Sequence, residues 1–406
     1  MKRRKFYTFI SLFGISLTLT ILIILSALLD SVFAPTYPEV NRNRTLYAQQ
    51  IQEVNRKEQG SMSGPMSRYL VENYVKKLPT PEKIGMISTP SHLNTYLNGR
   101  RGKLFIRYTD VQFWQINGFE FLEGKAFTEE TLEQNDNAII ISEDIRDRYF
   151  GKSVSVLGQT LNLAGTPYRI SGVVKGSTQM IQLYSASEIY LPITADKTPK
   201  NTNYQGSYIS LLLAKEPSDM PKIQAEFDDM IRRLPIRNHD DFKPDTIVCS
   251  AYGYMKSFFV QGLESDGTIS NGLKIFFTIT LIFAFLFMLL PALNLVNLNI
   301  SRIMERASEI GIRKAFGAST GTLTVQFIIE NVILTVVGGA IALLLSGLFI
   351  TYINRTGIGP LPSLNLSINW FVVLIALILS FIFGLMSGVL PAFKMAKLPI
   401  VEALKN

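Results

Sequence analysis

The sequence has few of the residues from which catalytic and metal sites are built. Its 406 residues include one cysteine, Cys249, and two histidines, His92 and His239. A single cysteine excludes an intramolecular disulfide framework, and we expect Cys249 to be a small buried hydrophobic residue. Two histidines in separate polar stretches do not form a set of zinc ligands. We therefore expect neither a metal nor another cofactor.

The triplet GKS at residues 151–153 resembles the end of a phosphate-binding loop but lacks its first glycine. That loop requires a glycine five residues before Gly151, and the sequence has Arg146 there. A helix that ends near Gly151 explains the triplet better. No motif such as G-x-S-x-G indicates a hydrolase, so we expect this chain to have no ATPase or other enzymatic activity of its own.

Charged residues are absent from four long runs, residues 6–29, 275–301, 331–354 and 356–393. Each run exceeds the roughly 20 residues that cross a bilayer core, and only helices satisfy their own backbone there without closing a barrel. The first run follows basic residues, as a signal peptide does, but it is longer than the roughly 7–15 apolar residues of one. We therefore predict a retained anchor and four transmembrane helices, the last three at about 275–300, 320–353 and 367–391.

The distribution of charge predicts the orientation of the chain. Residues 2–5 carry +4, residues 302–314 carry +2 and residues 394–406 carry +2, whereas residues 30–273 hold 27 basic and 28 acidic side chains. Positive segments stay in the cytoplasm, so both termini and residues 302–317 are predicted to be cytoplasmic, and residues 31–273 extracytoplasmic. The basic character of the chain then reflects membrane topology, and we expect no nucleic-acid partner.

The chain is therefore predicted to have three regions: residues 1–30 with the first membrane helix, an extracytoplasmic stalk and α+β domain at 31–273, and a region with three membrane helices at 274–406. Within the second region we predict a helical stalk over residues 41–58. Further helices are predicted at residues 65–78, after Ser142 and at 220–234, strands at 103–108, 137–142, 207–214 and 245–252, and a hairpin around Gly165 at 159–174.

The predicted spans contain one acidic residue and two rows of small residues. Glu330 lies about seven residues into the third span, where an acid costs several kcal/mol unless it is paired or hydrated. It is either functional or bonded near the cytoplasmic interface, and both readings stay open. Small residues recur every four positions, which lets helices approach closely within one subunit or between two. They are Gly338, Ala342 and Ser346 in the third span and Ser380, Gly384 and Gly388 in the fourth.

A charged segment, MERASEIGIRKAFGAS at residues 304–319, separates two of these runs. As a helix over 302–317 it places Glu309 four residues before Arg313, a favourable pair, and Gly317 is suited to end it. It also exposes Ile310, Ile312 and Phe316. Those side chains either rest on membrane lipid or fill the groove of a cytoplasmic partner.

The segment ERASEIGIRKAFGAS closely resembles the cytoplasmic loop of ABC-transporter permeases of the MacB, LolC/LolE and FtsX type. The tail LPAFKMAKLPIVEALKN is similar to that family's closing segment. Residues 137–176, NAIIISEDIRDRYFGKSVSVLGQTLNLAGTPYRISGVVKG, look like part of the MacB-type periplasmic core domain. The stretch LLPALNLVNL at 289–298 departs from the glycine-rich stretch of MacB proteins, so details of the second span do not carry over.

The resemblance implies a bacterial inner-membrane permease that couples ATP hydrolysis to motion of its periplasmic domain, to export or extract a substrate. A coupling helix would dock on a cytoplasmic ABC ATPase, which we expect to be a separate polypeptide because the chain begins four basic residues before its first span. A second permease copy or paralogue and a periplasmic adaptor are further expected partners. The residues expected to contact the ATPase are Glu305, Glu309, Ile310, Gly311, Ile312, Arg313, Lys314, Phe316 and Gly317.

Two alternatives to a transporter stay open at this point. One is an FtsX-like regulator that uses the same motion to activate a periplasmic partner such as a cell-wall hydrolase. The other is a membrane-anchored enzyme or sensor that works without an ATPase.

Overall fold

The computed structural model describes residues 2–97, 100–133, 137–152, 154–177, 183–198, 202–238, 242–263, 274–283, 285–286, 289, 320–356, 366–375, 377–378 and 381–382. The chain divides into two compact units. One comprises residues 33–273, called here the large domain, and the other comprises residues 1–32 and 274–406, called the helical unit.

The large domain is α+β, with two sheets. Its strands are β1 (Thr45–Ala48), β2 (Gln50–Asn55), β3 (Gly60–Pro65), β4 (Lys83–Ser88), β5 (Ser91–Leu97), β6 (Arg100–Thr109), β7 (Phe121–Gly124), β8 (Ala138–Ser142), β9 (Thr160–Leu163), β10 (Thr166–Val174), β11 (Ile189–Pro192), β12 (Tyr208–Leu213), β13 (Thr246–Cys249) and β14 (Tyr252–Gly253). The larger sheet runs β14-β1-β12-β4-β6-β11-β8-β10-β7, with β5 on β6 and β9 on β10, and the smaller runs β13-β2-β3.

Short helices cover these sheets: α2 (Arg68–Asn73), α3 (Val111–Ile116), α4 (Glu129–Glu133), α5 (Glu143–Tyr149), α6 (Met220–Arg232) and α7 (Tyr254–Leu263). The strands β8 and β12 are buried at every position. Continuous apolar sequence is expected of strands that are covered on both faces. The core therefore lies on both sides of the larger sheet.

Local sequence rules predict several of these elements correctly. The hydroxyl of Ser142 accepts a hydrogen bond from the backbone N–H of Ile145 and caps α5, as expected. The hairpin β9–β10 turns at Ala164 and Gly165, whose φ angles of 49° and 85° are those of a tight hairpin turn. Helix α6 and the strands predicted at 103–108, 137–142 and 207–214 are also present.

The helical stalk predicted over residues 41–58 is wrong. After a short 3₁₀ turn the segment forms β1 and β2, and β3 follows at the Gly/Ser/Pro stretch that was expected to interrupt a helix. The physical reason is burial. All four positions of β1 are buried between β12 and β14, and β2 alternates buried Ile51, Glu53 and Asn55 with more exposed residues, a period of two that fits a strand.

The helical unit contains α1 (Lys2–Phe33, its last residue in the large domain), α8 (Lys274–Phe283) and α9 (Thr320–Thr356). Residues 370–375 are also helical. Within the described residues, two helical segments are long and apolar enough to cross a membrane, Thr8–Phe33 and Val332–Thr356. The second and fourth predicted spans extend beyond the described residues, so four spans stay a prediction.

Candidate functional site: the junction of the two chain connections

The incoming connection of the large domain carries a buried ion pair. Helix α1 ends at Phe33, and Glu39 and Arg42 follow in the turn before β1. The side chains of Glu39 and Arg42 are both 1% exposed, and the Arg42 Nε lies 2.7 Å from the Glu39 Oε2. The Arg42 Nη1 also donates to the backbone oxygen of Ala34 at 2.9 Å. One guanidinium therefore ties the end of α1 to the first turn of the large domain.

The same guanidinium contacts the outgoing connection. Strand β14 pairs with β1 and leads directly into α7, which begins at Tyr254. The Arg42 guanidinium carbon lies 4.0 Å from the centroid of the Tyr254 ring, a distance at which a cation is attracted to the ring face. The ring of Phe33 packs against those of Phe258 and Phe259, with centroids 5.5 Å and 5.9 Å apart. Incoming and outgoing connections are thus held side by side.

Glu39 also reaches a third part of the chain, the turn before β11. Its Oε1 accepts from the Ser185 hydroxyl at 2.6 Å and from the backbone N–H of Tyr184 at 3.2 Å. The Tyr184 hydroxyl in turn donates to the hydroxyl of Ser257 on α7 at 2.9 Å. We call Glu39, Arg42, Tyr47, Tyr184, Tyr254 and Ser257 the junction cluster.

Three tyrosine rings form the apolar part of the junction cluster. The ring of Tyr47 stacks on Tyr184 at 4.3 Å, and both rings meet Tyr254 edge to face at 5.7 Å and 5.5 Å. Burial raises the pKa of all three phenols above the usual value. They are neutral at ordinary pH, so the formal charges in the cluster are those of Glu39 and Arg42.

The junction cluster was not predicted from the sequence, because residues 41–58 were expected to form a stalk outside any core. A weak indication was present. Glu39 and Arg42 stand three residues apart directly after Pro35 and Pro38, where α1 cannot continue. Their partners Tyr184 and Tyr254 are distant in sequence, and nothing in the local pattern marks them.

The residues predicted to contact an ATPase, Glu305 to Gly317, lie outside the described residues, as do Ser380, Gly384 and Gly388. Glu330 lies in α9, and its side chain is also outside the described part.

Two of the small residues of α9, Gly338 and Ala342, lie against α1 of the same chain. A Cβ on Gly338 would be 2.7 Å from the Cγ2 of Ile15. Ala342 and Ser346 are fully buried, and the Thr20 hydroxyl lies 3.5 Å from the backbone oxygen of Ala342. The two helices therefore approach closely at these positions.

Within the part of the chain that the structure describes, no three His, Cys, Asp or Glu side chains are gathered as metal ligands. Cys249 is buried, as predicted, and burial raises the pKa of its thiol. Gly151 follows the end of α5, where its N–H donates to the Arg146 oxygen, so the GKS triplet begins at a helix end.

Two family models match separate parts of the chain. Residues 8–230 match the family model of the MacB-like periplasmic core domain, and residues 281–400 match that of the FtsX-like permease C-terminal domain. The chain is 27% identical over 342 residues to the uncharacterized ABC transporter permease YknZ of Bacillus subtilis, and the match covers 82% of this chain and 78% of that protein.

A second relative is longer than this chain. The macrolide export ATP-binding/permease protein MacB of Escherichia coli K12 is 25% identical over 292 residues, which covers 72% of this chain and 42% of MacB. This chain therefore matches less than half of that protein's length.

Solved structures of related domains also match. The extracellular domain of the noncanonic ABC-type transporter YknZ from Gram-positive bacteria gives a TM-score of 0.37 at 15% identity, covering 50% of this chain and 98% of that one. The periplasmic region of MacB from Actinobacillus actinomycetemcomitans gives 0.37 at 12% identity, covering 56% and 96%. Because the match to the periplasmic core model alone takes in more than half of the 406 residues, the chain belongs to the family of ABC transporter permeases with a MacB-like periplasmic core domain and an FtsX-like permease domain.

Proposed function

We propose that the chain is the permease subunit of a MacB-type ABC transporter that transmits the work of a separate cytoplasmic ATPase to its periplasmic domain. In this proposal four helices span the inner membrane, both termini are cytoplasmic, and the large domain is periplasmic. Residues 302–317 form the coupling helix that binds the ATPase, and two permeases pair in the assembly. Motion of the periplasmic domain then exports or extracts a substrate.

The observation that carries the proposal is the junction cluster. Two chain connections join the large domain to the membrane helices, so a displacement of those helices can reach the domain through them. Arg42 contacts both of them, through the Ala34 oxygen and the Tyr254 ring, and Glu39 ties Arg42 to the turn at Tyr184. A buried, hydrogen-bonded ion pair couples the groups that it joins, because leaving either charge without a partner in a low-dielectric interior is costly.

Affinity purification tests the ATPase partner. The chain, solubilised in detergent from its native host, is compared with the Glu309→Lys/Arg313→Glu variant, which reverses the charges in the coupling segment. A matched control reverses an exposed pair on α6, Asp229→Arg/Arg232→Asp, whose side chains are 52% and 71% exposed. We expect an ABC ATPase to copurify with wild type and control and to be lost from the coupling variant. No ATPase with a folded wild-type chain would refute the proposal.

A second experiment tests the junction. A fluorophore is attached at Ile236→Cys, an exposed position, in a Cys249→Ala background, and its response to ATP is followed in the assembled complex. Glu39→Gln should keep ATP hydrolysis and lose the fluorescence change, because the large domain no longer follows its connections. If Glu39→Gln shows the same fluorescence change as the wild type on addition of ATP, the junction cluster does not transmit the motion.

A further inference from the structure

Arg107 is a buried cation with unmet hydrogen-bonding capacity. It lies on β6, an inner strand between β4 and β11, and it is 2% exposed. Its Nη2 donates to the backbone oxygen of Leu183 at 2.8 Å, but among the described residues no acceptor pairs with its Nε or Nη1. Burial lowers the pKa of this guanidinium to about 10, yet it still carries its charge at neutral pH.

One peptide group separates Arg107 from Glu39. The Leu183 carbonyl, which accepts from Arg107, and the Tyr184 N–H, which donates to Glu39 Oε1 at 3.2 Å, belong to the same peptide bond. The guanidinium and the carboxylate therefore sit on opposite edges of a single peptide plane. The charge of Glu39 also acts on Arg107, while Arg42 is in direct contact with the carboxylate.

A buried cation without a counter-ion is costly, and a state of the protein that supplied one would lower that cost. The two arginines differ in what would move them. Arg42 rests on the outgoing connection through the Tyr254 ring, so a displacement of that connection can draw its guanidinium away from Glu39. Arg107 is fixed in the middle of the larger sheet.

We propose that Arg107 is the second partner of Glu39, and that the junction cluster alternates between a Glu39–Arg42 pair and a Glu39–Arg107 pair. This inference rests on the proposed function, since it supplies the two discrete states that a transmitted motion requires. When Arg42 is displaced, the carboxylate turns past the Leu183–Tyr184 peptide to the unpaired edge of Arg107. Glu39 is paired with an arginine in both states. In the Glu39–Arg107 state the turn before β11 loses its hydrogen bonds to Glu39, which come from Ser185 and the Tyr184 N–H.

A double-mutant cycle tests the alternation. Unfolding of the full chain in micelles is followed for wild type, Arg42→Met, Arg107→Met and the double variant. Arg107→Met alone should be neutral or stabilising, because it removes an unpaired buried charge. In the double variant Glu39 has no cation left, so the unfolding equilibrium should shift by at least about tenfold beyond the sum of the single effects. Additive effects would overturn the proposal.

Two further variants keep the test decisive. Arg42→Met combined with the exposed and remote Arg232→Met should be additive, whereas Arg107→Lys should restore part of the stability that Arg107→Met removes in the Arg42→Met background. If the methionine variants do not fold, the cycle is repeated with glutamine at both positions. A structure of Arg42→Met should show Glu39 paired directly with the Nε or Nη1 of Arg107, and a structure without that pair would contradict the alternation.

The cycle is measured on the chain alone, without an ATPase. Additive effects would therefore refute the Glu39–Arg107 pairing without refuting the proposed function. Absence of a copurifying ATPase would instead refute the proposed function without refuting the pairing.

Discussion

Glu39→Gln removes the negative charge from the junction cluster and preserves the shape of the side chain. In the wild type the carboxylate is 2.7 Å from Arg42 Nε and also accepts from Ser185 and Tyr184. The substitution leaves the buried guanidinium of Arg42, itself 1% exposed, without a counter-ion. Arg107 loses the same negative charge.

Removing one partner of a buried ion pair costs about 3–5 kcal/mol of folding free energy. The glutamine oxygen can still accept from Ser185 and Tyr184, so we expect a loss near the lower limit, about 3 kcal/mol. In a domain of this size such a loss lowers the melting temperature by on the order of 10 °C.

Tryptophan fluorescence can follow the large domain by itself. The chain has two tryptophans, Trp114 buried in the large domain and Trp370 exposed in the helical unit. In a Trp370→Phe background, melting in detergent micelles is therefore reported by Trp114 alone.

Glu82→Gln is the matched control, since Glu82 pairs with Arg44 at 2.9 Å and its side chain is 39% exposed. This control should cost less than about 1 kcal/mol. If Glu39→Gln has the same melting temperature as the control and the wild type, the Glu39–Arg42 pair does not hold the junction together.

Two other substitutions test close packing and buried phenols. Gly338→Ala should destabilise the helical unit by about 1–3 kcal/mol, because the new Cβ would lie 2.7 Å from the Cγ2 of Ile15. Gly347 has open space around it, so Gly347→Ala should be neutral or stabilising in thermal melts followed by circular dichroism. An equal loss of stability in both variants would contradict the Gly338–Ile15 contact. Burial raises the pKa of Tyr184, so the folded state holds this proton where the unfolded chain releases it. Stability is full below about pH 10 and falls as the pH rises above it. Tyr184→Phe should reduce that fall by about 1.4 kcal/mol per pH unit in alkaline denaturant titrations, and an unchanged slope would show that the phenol ionises as readily in the folded state.

Apolar helices, a helix cap and a hairpin turn could be predicted from the sequence alone, because each depends on neighbouring residues. Runs without charge predicted apolar helices because burying a charge in lipid is costly, and α1 and α9 fulfil this over their described lengths. Ser142 capped α5 as predicted, and the turn at Gly165 closed a hairpin. In each case the cause lies within a few residues of the effect, so the pattern is readable without the fold.

The secondary structure of residues 41–58 and the contacts of the neighbouring polar side chains depend on the tertiary structure. The segment is polar enough to suit a solvated helix, but its first apolar positions fit between β12 and β14 as strand β1. The later ones lie on β2, which pairs with β13 and β3 in the smaller sheet. Glu39 meets the Tyr184 backbone across 145 positions of sequence, and Arg42 meets Tyr254 across a still longer separation. Such partners are selected by the path of the whole chain, because a buried charge must find whichever groups the fold brings to it.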